Sequence, residues 1–140
     1  MRNFARMRDN RAPYLGDLET AVMEHVWKAG PSDVKAVHRL LGPPRHITHN
    51  TVQSTMERLY RKGLLAREKV SHAYLYSAAL SRAEYCARLV HEVVSTVTGS
   101  TAPATVLSAF VDLAERTGGD GLARLERLIA ERRAGAKERP

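Results

Sequence analysis

Short polar side chains stand together in the segment THNTVQSTMERLYRKGLL, residues 48–65. Within it, Val52, Met56, Leu59 and Tyr60 recur at helical spacing and form one apolar face. The other face opens with uncharged hydrogen-bond donors and acceptors and becomes basic only in its last two turns. The solvated face of an ordinary helix usually carries Glu and Lys instead. This second face is therefore a candidate binding surface.

The positive charge of the chain is concentrated in its first part. Residues 1–80 contain 13 Lys and Arg against 7 Asp and Glu, whereas residues 81–140 contain 9 against 8. The net charge is +7 and the isoelectric point is near 10.0. This asymmetry favours a polyanionic partner, most often nucleic acid, and solubility alone is the alternative explanation.

Length and composition exclude several classes of protein. The 140 residues suffice for about one domain with a modest core, and a hydrophobic content of 44% argues against disorder. No apolar run approaches the roughly 20 residues of a membrane helix, and no apolar segment follows the basic N-terminus as in a secretory signal. We therefore predict a cytoplasmic protein that does not contact a membrane.

Three side chains that could react or stack are interpreted as core residues. Cys86 is the single cysteine and has no pairing partner, which fits a reducing compartment. We expect it to be a small buried residue, with a thiol sensor as the alternative. Trp27 and Tyr76 are expected to pack in the core rather than to stack on bases.

Helical periodicity predicts three helices in the first part of the chain. They begin near residues 15–17, 33 and 48 and end near residues 28, 41 and 63. Asp17, Ser32 and Thr48 are suited to N-cap them, and Gly63 suits the left-handed position after the third. The second helix is expected to end at Gly42, which two prolines follow.

After residue 63 the hydrophobic period changes from helical to about two residues. The segments 64–69 and 73–78 are short enough to be two strands, with residues 70–72 as the turn between them. Three helices and a hairpin form a winged helix-turn-helix, with the third helix as recognition helix and the hairpin as wing. We therefore predict a winged-helix DNA-binding domain over residues 14–80, preceded by a flexible basic arm at residues 1–13.

The remaining chain predicts a helical dimerisation domain. Apolar stripes mark helices over residues 82–98, 103–114 and 121–133, followed by a disordered tail at residues 135–140. Helices this short cannot bury their stripes fully on one another, so we expect residues 81–134 to pair with a second copy. Packing against the first domain is the alternative. The expected interface residues are Leu89, Val93, Val97, Val106, Phe110, Leu113, Leu125, Leu128 and Ile129.

Three segments carry a family resemblance: LGDLETAVMEHVWKAG in the first helix, TVQSTMERLYRKGLL in the third, and YLYSAALSRAEY after the wing. Together they resemble the penicillinase repressor family of transcription regulators, known as BlaI/MecI, over residues 15–129. The resemblance implies a mainly α fold with a small β-hairpin wing, in which a winged helix-turn-helix domain precedes a helical dimerisation domain. It also implies a homodimeric repressor of β-lactam resistance or related stress genes, bound to a dyad-symmetric operator in double-stranded DNA.

The resemblance assigns the polar face of the third helix to the bases of DNA. Asn50, Thr51, Gln53 and Ser54 match the base-reading positions of the family. Asn and Gln suit the edge of adenine, and the methyl group of Thr can contact thymine. An A·T-containing half-site is therefore expected.

Other side chains of the third helix and the wing are expected to contact phosphates, which orient a protein on DNA without specifying sequence. For Arg58 and Lys62, solvation or a salt bridge to Glu57 or Glu19 is the alternative. The expected phosphate contacts are Thr48, His49, Arg58, Arg61, Lys62, Lys69 and His72.

The chain departs from the family pattern where regulation is expected. Relatives controlled by a membrane sensor protease are cut at an Asn-Phe bond in the dimerisation domain, and the matching pair here is Ala109-Phe110. A regulatory protease is therefore a partner only if its sequence preference differs. Copper-responsive relatives carry a cysteine-rich tail, which the final residues RAGAKERP lack.

Neither a cofactor nor an enzymatic activity is expected. The six histidines are scattered and no cysteine or paired carboxylate completes a recognisable metal site. The sequence has no P-loop, Gly-x-Ser-x-Gly elbow or His-Glu-x-x-His motif. The alternative function is a winged-helix nucleic-acid-binding adaptor, including an RNA binder, or a non-specific DNA binder without a repressor role.

Overall fold

The computed structural model describes residues 15–98 and 104–138. The predicted basic arm and Pro103 lie outside these ranges. Two compact units meet at Glu92 and Val93, whereas the sequence predicted a boundary after residue 80. The elements in chain order are α1 (Asp17–Ala29), β1 (Ser32–Asp33), α2 (Val34–Arg45), α3 (His49–Arg61), β2 (Leu65–Val70), β3 (Ala73–Ala78), α4 (Arg82–Thr98), α5 (Ala104–Arg116) and α6 (Gly121–Lys137).

The first two helices are capped by residues adjacent to the predicted ones. Gly16, not Asp17, is the N-cap of α1, and its N–H donates to Glu19 Oε1 at 3.5 Å. Asp33, not Ser32, caps α2 by accepting the Ala36 N–H at 2.7 Å. Both Ser and Asp are good N-caps, but the Ser32 hydroxyl donates to the Gly30 carbonyl at 3.0 Å instead of capping α2.

The second helix continues through its two prolines to Arg45, so the prediction that it ends at Gly42 was wrong. His46 terminates it in the left-handed conformation, with φ 52°, and its N–H donates to the carbonyls of Gly42 and Pro43. Gly42 is buried because the His38 ring lies over it; a Cβ there would be 2.5 Å from the ring. His38 Nε2 in turn donates to the Ile47 carbonyl at 3.1 Å, which ties α2 to the start of α3.

The ends of the third helix follow the prediction. Thr48 is its N-cap and accepts the Thr51 N–H at 3.2 Å. Gly63 has a φ of 81°, the left-handed conformation expected of the residue that follows a helix.

The three strands form one antiparallel sheet in the order β1-β3-β2. The predicted hairpin is confirmed to within one residue, since Leu65 pairs with Ala78 and Val70 with Ala73. Ser71, with a φ of 59°, opens the two-residue turn. Among the described residues, β1 is the strand that the sequence did not predict, because two residues are too short to show a period. The mainly α fold with a small β-hairpin wing is confirmed.

The core of the first unit lies between its helices and the sheet. Trp27 is half-buried against it, and the indole Nε1 donates to the Leu80 carbonyl at 3.0 Å. The rings of Trp27 and Tyr85 are 5.7 Å apart, so the first turns of α4 belong to this core. The buried apolar residues are Val22, Met23, Val26, Val37, Val52, Met56, Leu59, Leu64, Leu65, Tyr76, Leu80 and Tyr85.

The second unit contains the end of α4 together with α5 and α6. Gly121 allows α6 to approach α5, because a Cβ there would lie 1.9 Å from the Ala114 carbonyl oxygen. None of the residues of α5 and α6, over residues 104–116 and 121–137, is buried. Because α6 reaches Lys137, residues 135–137 of the predicted tail are helical, and the helix ends later than Arg133.

Candidate nucleic-acid interface

The apolar face of α3 anchors this helix in the first unit. Val52, Met56 and Leu59 are all fully buried. Thr55 is also buried, and its hydroxyl donates to the Thr51 carbonyl at 2.8 Å, so burial leaves no unsatisfied donor there. With this face fixed, the opposite face of α3 points to solvent.

The four candidate base-reading residues lie on that solvent-facing side, in the first turns of α3. Asn50, Thr51, Gln53 and Ser54 are all exposed. The hydroxyls of Thr51 and Thr48 are 3.1 Å apart, so the side chain of Thr51 is oriented by the helix cap. The structure therefore brings all four side chains together on one accessible surface.

The basic residues at the end of α3 differ in their environments. Arg58 is exposed. Arg61 Nη2 lies 2.8 Å from Glu57 Oε1, with the two side chains 73% and 42% exposed. Such an exposed pair contributes at most about 1 kcal/mol and is readily broken by a competing anion. Arg61 is therefore available to a phosphate.

Lys62 is less available than its neighbours. Its Nζ lies 2.7 Å from Glu19 Oε2, and the Glu19 side chain is only 11% exposed. The other oxygen of Glu19 accepts the Gly16 N–H, so the carboxylate ties the end of α3 to the start of α1. This is the salt bridge that the sequence left open as the alternative for Lys62.

The wing supplies two further candidates at its far end. Lys69 is exposed on β2, and His72 is exposed in the turn between the strands. At the start of α3, Thr48 and His49 are exposed as well. The His49 ring makes an edge contact with His38 at 5.9 Å between centroids.

Arg67 is a residue of this surface that the sequence analysis missed. Its Cζ lies 4.1 Å from the ring centroids of both Tyr60 and Tyr74. A hydrogen bond to the side chain of Tyr76, aided by the nearby tyrosine hydroxyls, raises the pKa of Arg67 above its ordinary value. The two-residue period of the strands could have indicated this position, because Arg67 and Lys69 lie on the same face of the hairpin as Tyr74 and Tyr76.

The residues expected at a dimer interface are mostly exposed. Leu89 instead packs against the core of the first unit. Val106 and Leu125 are half-buried, and the side chain of Val97 lies outside the described part of the chain. The exposed members are Val93, Phe110, Leu113, Leu128 and Ile129.

Exposed apolar side chains of the second unit form a surface that we call the apolar surface. Each helix of the second unit contributes to this surface, and the side chains of Leu107 and Leu128 are 60% and 56% exposed. Its members are Val93, Leu107, Phe110, Val111, Leu113, Leu122, Leu128 and Ile129.

The cysteine does not lie where the sequence placed it. Cys86 is exposed on α4, so the expectation of a buried apolar residue was wrong. Three residues earlier in the chain, Ala83 is also exposed, whereas Tyr85 and Leu89 face the core of the first unit. Position 86 therefore falls on the solvent side of the helix.

Residues 15–98 and 104–138 contain neither a metal-binding cluster nor a membrane-spanning helix. No three His, Cys, Asp or Glu side chains there are grouped so that they could hold a metal ion. None of the helices in this part of the chain is long and apolar enough to span a membrane.

Comparison with known proteins decides the family. A model of the penicillinase repressor family matches residues 15–131. The chain belongs to the penicillinase repressor family. Its members are transcriptional repressors, which confirms both the resemblance and the prediction that the chain is not an enzyme.

Two curated relatives span nearly the whole chain. The transcriptional regulator BlaI of Mycobacterium tuberculosis is 35% identical over 127 residues, which cover 90% of both chains. The penicillinase repressor of Bacillus licheniformis is 22% identical over 128 residues, covering 91% of this chain and 98% of its own.

Solved structures of RosR from H. salinarum have a lower similarity. They share 19% sequence identity with the chain, at TM-scores of 0.46 and 0.48. The alignments cover 89% and 91% of this chain and 98% and 99% of RosR.

Proposed function

We propose that this penicillinase repressor family member is a homodimeric, sequence-specific DNA-binding repressor. The observation that carries the proposal is the solvent-facing side of α3. Short polar side chains are exposed there, the opposite apolar face of the helix is buried in the core, and the wing is part of the same unit. A rigid helix that presents such groups fits the major groove, where each base pair has its own pattern of donors and acceptors. The names of the relatives support a role in transcription.

Within a half-site, the first turns of α3 read the bases. Asn50 and Gln53 have the paired donor and acceptor that match the edge of adenine. The cap contact that orients the Thr51 hydroxyl leaves its methyl group to contact thymine. Ser54 supplies one further donor or acceptor, so the half-site contains A·T pairs.

Exposed basic side chains around this face, together with residues at the start of α3, bind the phosphates. Arg61 exchanges Glu57 for a phosphate, because a surface ion pair is weak in water. Lys62 contributes mainly long-range attraction, since Glu19 already holds its ammonium group. The remaining contacts are Thr48, His49, Arg58, Lys69 and His72.

A second copy of the chain covers the apolar surface and so joins two half-sites. Apolar exposure on this scale typically marks a protein interface. Two recognition helices related by a dyad enter successive major grooves about 34 Å apart. Linking two half-sites strengthens binding by a factor of about 100 or more, so a signal that weakens the dimer releases the operator.

A protease whose sequence preference differs from Asn-Phe would supply one such signal. The pair Ala109-Phe110 is exposed in the middle of α5, within the segment that we assign to the dimer. A cut there separates the second half of α5 and all of α6 from the rest of the chain, and with them six of the eight residues of the apolar surface. Gel analysis after incubation with the cognate protease would detect fragments ending at this bond.

The test of the repressor function is fluorescence-anisotropy binding to duplexes that tile the upstream region of the gene for this chain, with a scrambled duplex as reference. We expect one duplex to bind about 1,000-fold more tightly than the scrambled one. Equal and steeply salt-dependent binding to every duplex would instead indicate a non-specific DNA binder. Preference for single-stranded RNA over all duplexes would indicate an RNA-binding adaptor.

A further inference from the structure

One face of the wing runs from the buried core into solvent beside the recognition helix. In the register of β2 and β3, Arg67 lies opposite Tyr76 and Lys69 opposite Tyr74, so the four side chains share this face. Tyr76 is 2% exposed, whereas Lys69 and Tyr74 reach solvent. Arg67 therefore lies where the face leaves the core.

Two tyrosine rings hold the guanidinium of Arg67 at this point. Tyr60 comes from α3 and Tyr74 from β3, and each ring centroid is 4.1 Å from Arg67 Cζ. Both electrostatic attraction and stacking favour a guanidinium at this distance from an aromatic ring. We call Tyr60, Arg67 and Tyr74 the tyrosine clamp.

The clamp is aligned with the candidate base-reading surface. Tyr60 is half-buried at the edge of the apolar face of α3, and it follows Gln53 by seven residues, or about two helical turns, so this edge lies in line with Gln53. Because the other ring belongs to β3, the clamp joins the recognition helix to the wing. The guanidinium of Arg67 is thus held relative to both elements at once.

The charge of Arg67 is left uncompensated within the described residues, where no Asp or Glu forms an ion pair with it. Arg61 and Lys62, by contrast, are paired with Glu57 and Glu19. Stacking uses none of the five N–H donors of a guanidinium, which lie in its plane. The N–H donors of Arg67 therefore lie where they can bind an anion.

We propose that Arg67 binds a phosphate of the DNA backbone next to the half-site, with Tyr60 and Tyr74 holding its guanidinium in place for that contact. The proposal rests on the proposed function, in which α3 enters the major groove. A planar guanidinium can bind a phosphate through two parallel hydrogen bonds, and the clamp fixes it before DNA arrives. The shape of the group therefore matters as well as its charge.

The test compares Arg67→Ala and Arg67→Lys with the wild-type chain. Binding is measured by fluorescence anisotropy over a salt series, on the tightest upstream duplex and on a random 30-base-pair duplex. We expect Arg67→Ala to weaken binding to both duplexes about tenfold and to reduce the salt slope by about 0.9. Arg67→Lys keeps the charge, but a lysine cannot stack between the rings or form two parallel hydrogen bonds with a phosphate. The affinity of this variant should therefore lie closer to that of Arg67→Ala than to that of the wild-type chain.

Matched variants separate the clamp from general effects of charge. Tyr74→Phe keeps the ring and should bind like wild type, whereas Tyr74→Leu removes it and should weaken binding about threefold. Arg132→Ala removes one exposed positive charge from α6 and should leave both the affinity and the salt slope unchanged. Thermal unfolding identifies a temperature at which all of these variants are folded, and binding is compared there.

Three results would overturn the phosphate contact. The first is wild-type affinity and salt slope for folded Arg67→Ala, which would make the clamp a stabilising contact only. The second is wild-type binding by Arg67→Lys, which would reduce its role to charge. The third is equal weakening by Arg132→Ala.

The outcome for the repressor function is read separately. If the wild-type chain does not distinguish its upstream duplex from scrambled DNA, the repressor function fails. A reduced slope for Arg67→Ala would still support the phosphate contact in that case.

Discussion

The two units of the chain treat their apolar side chains in opposite ways. In the first unit, α3 buries Val52, Met56 and Leu59 completely, and its polar face is held in position by the core of a single chain. In the second unit, no residue of α5 or α6 is buried over the ranges that the structure describes. We infer that the first unit of one chain is sufficient to recognise a half-site, whereas the second unit forms a buried core only when it pairs with a second copy of the chain. Substitutions in the two units should therefore change different quantities.

The largest expected effect comes from placing a charge on the apolar surface. Phe110→Asp or Leu128→Asp puts a carboxylate where the second copy should pack, and an unpaired buried charge is strongly unfavourable. We expect monomers in sedimentation velocity and operator affinity lower by a factor of about 100 or more.

Arg127→Asp is the control for that experiment. Helical spacing places Arg127 on the side of α6 opposite Leu122, Leu125 and Ile129, and it is exposed. This variant should remain dimeric. Monomeric wild-type protein, or dimers that persist in both Phe110→Asp and Leu128→Asp, would show that copies pair elsewhere or not at all.

The next largest effect concerns the apolar face that anchors α3. Met56→Ala leaves a cavity in a fully buried site and should lower the free energy of unfolding by about 2–5 kcal/mol. Leu40→Ala, at a position 58% exposed on α2, should change it by less than about 0.5 kcal/mol. Urea denaturation measures both. A loss below about 1 kcal/mol for Met56→Ala would mean that this face does not hold α3.

A smaller effect should separate sequence reading from affinity. Gln53→Ala removes a side chain that we assign to a base edge, at an expected loss of about 1–3 kcal/mol of discrimination. The ratio of operator to scrambled affinity should fall, while the salt slope stays the same. A ratio equal to that of the wild-type chain would place base reading elsewhere on α3.

The smallest effect is expected at the ion pair of Arg61. Arg61→Ala should weaken binding to all duplexes equally and lower the salt slope by about 0.9, because one phosphate contact is lost. Glu57→Gln should strengthen binding slightly, since it frees the guanidinium from its partner at 2.8 Å. If Arg61→Ala changed the specificity ratio instead, Arg61 would be a base contact.

Local patterns in the sequence were sufficient to predict most of the fold. The apolar seam of α3, its Thr48 cap and the left-handed Gly63 depend on neighbouring residues, and all three are confirmed. What the sequence did not reveal depends on distant residues. The strand β1 exists because Ser32 and Asp33 pair with Tyr76 and Leu75 across the sheet.

The candidate site shows the same division. That Asn50 and Gln53 face solvent followed from helical spacing, because the apolar face is unambiguous. The ion pair of Lys62 with Glu19 joins residues 43 positions apart, and the sequence could only offer it as an alternative. Arg67 was missed because its partners come from a helix and a neighbouring strand, which strand alternation indicates only once the register is known.

The most direct test of this division of labour is selection of bound duplexes from a random DNA library by the full-length chain, followed by sequencing. We predict an enriched motif with dyad symmetry, in which two A·T-containing half-sites lie about one helical turn apart. The dyad symmetry of the motif tests whether the chain binds as a dimer. The sequence of each half-site tests whether the polar face of α3 reads the bases. Enrichment of a single unpaired half-site would contradict the role of the apolar surface, and no enrichment at all would contradict sequence-specific recognition.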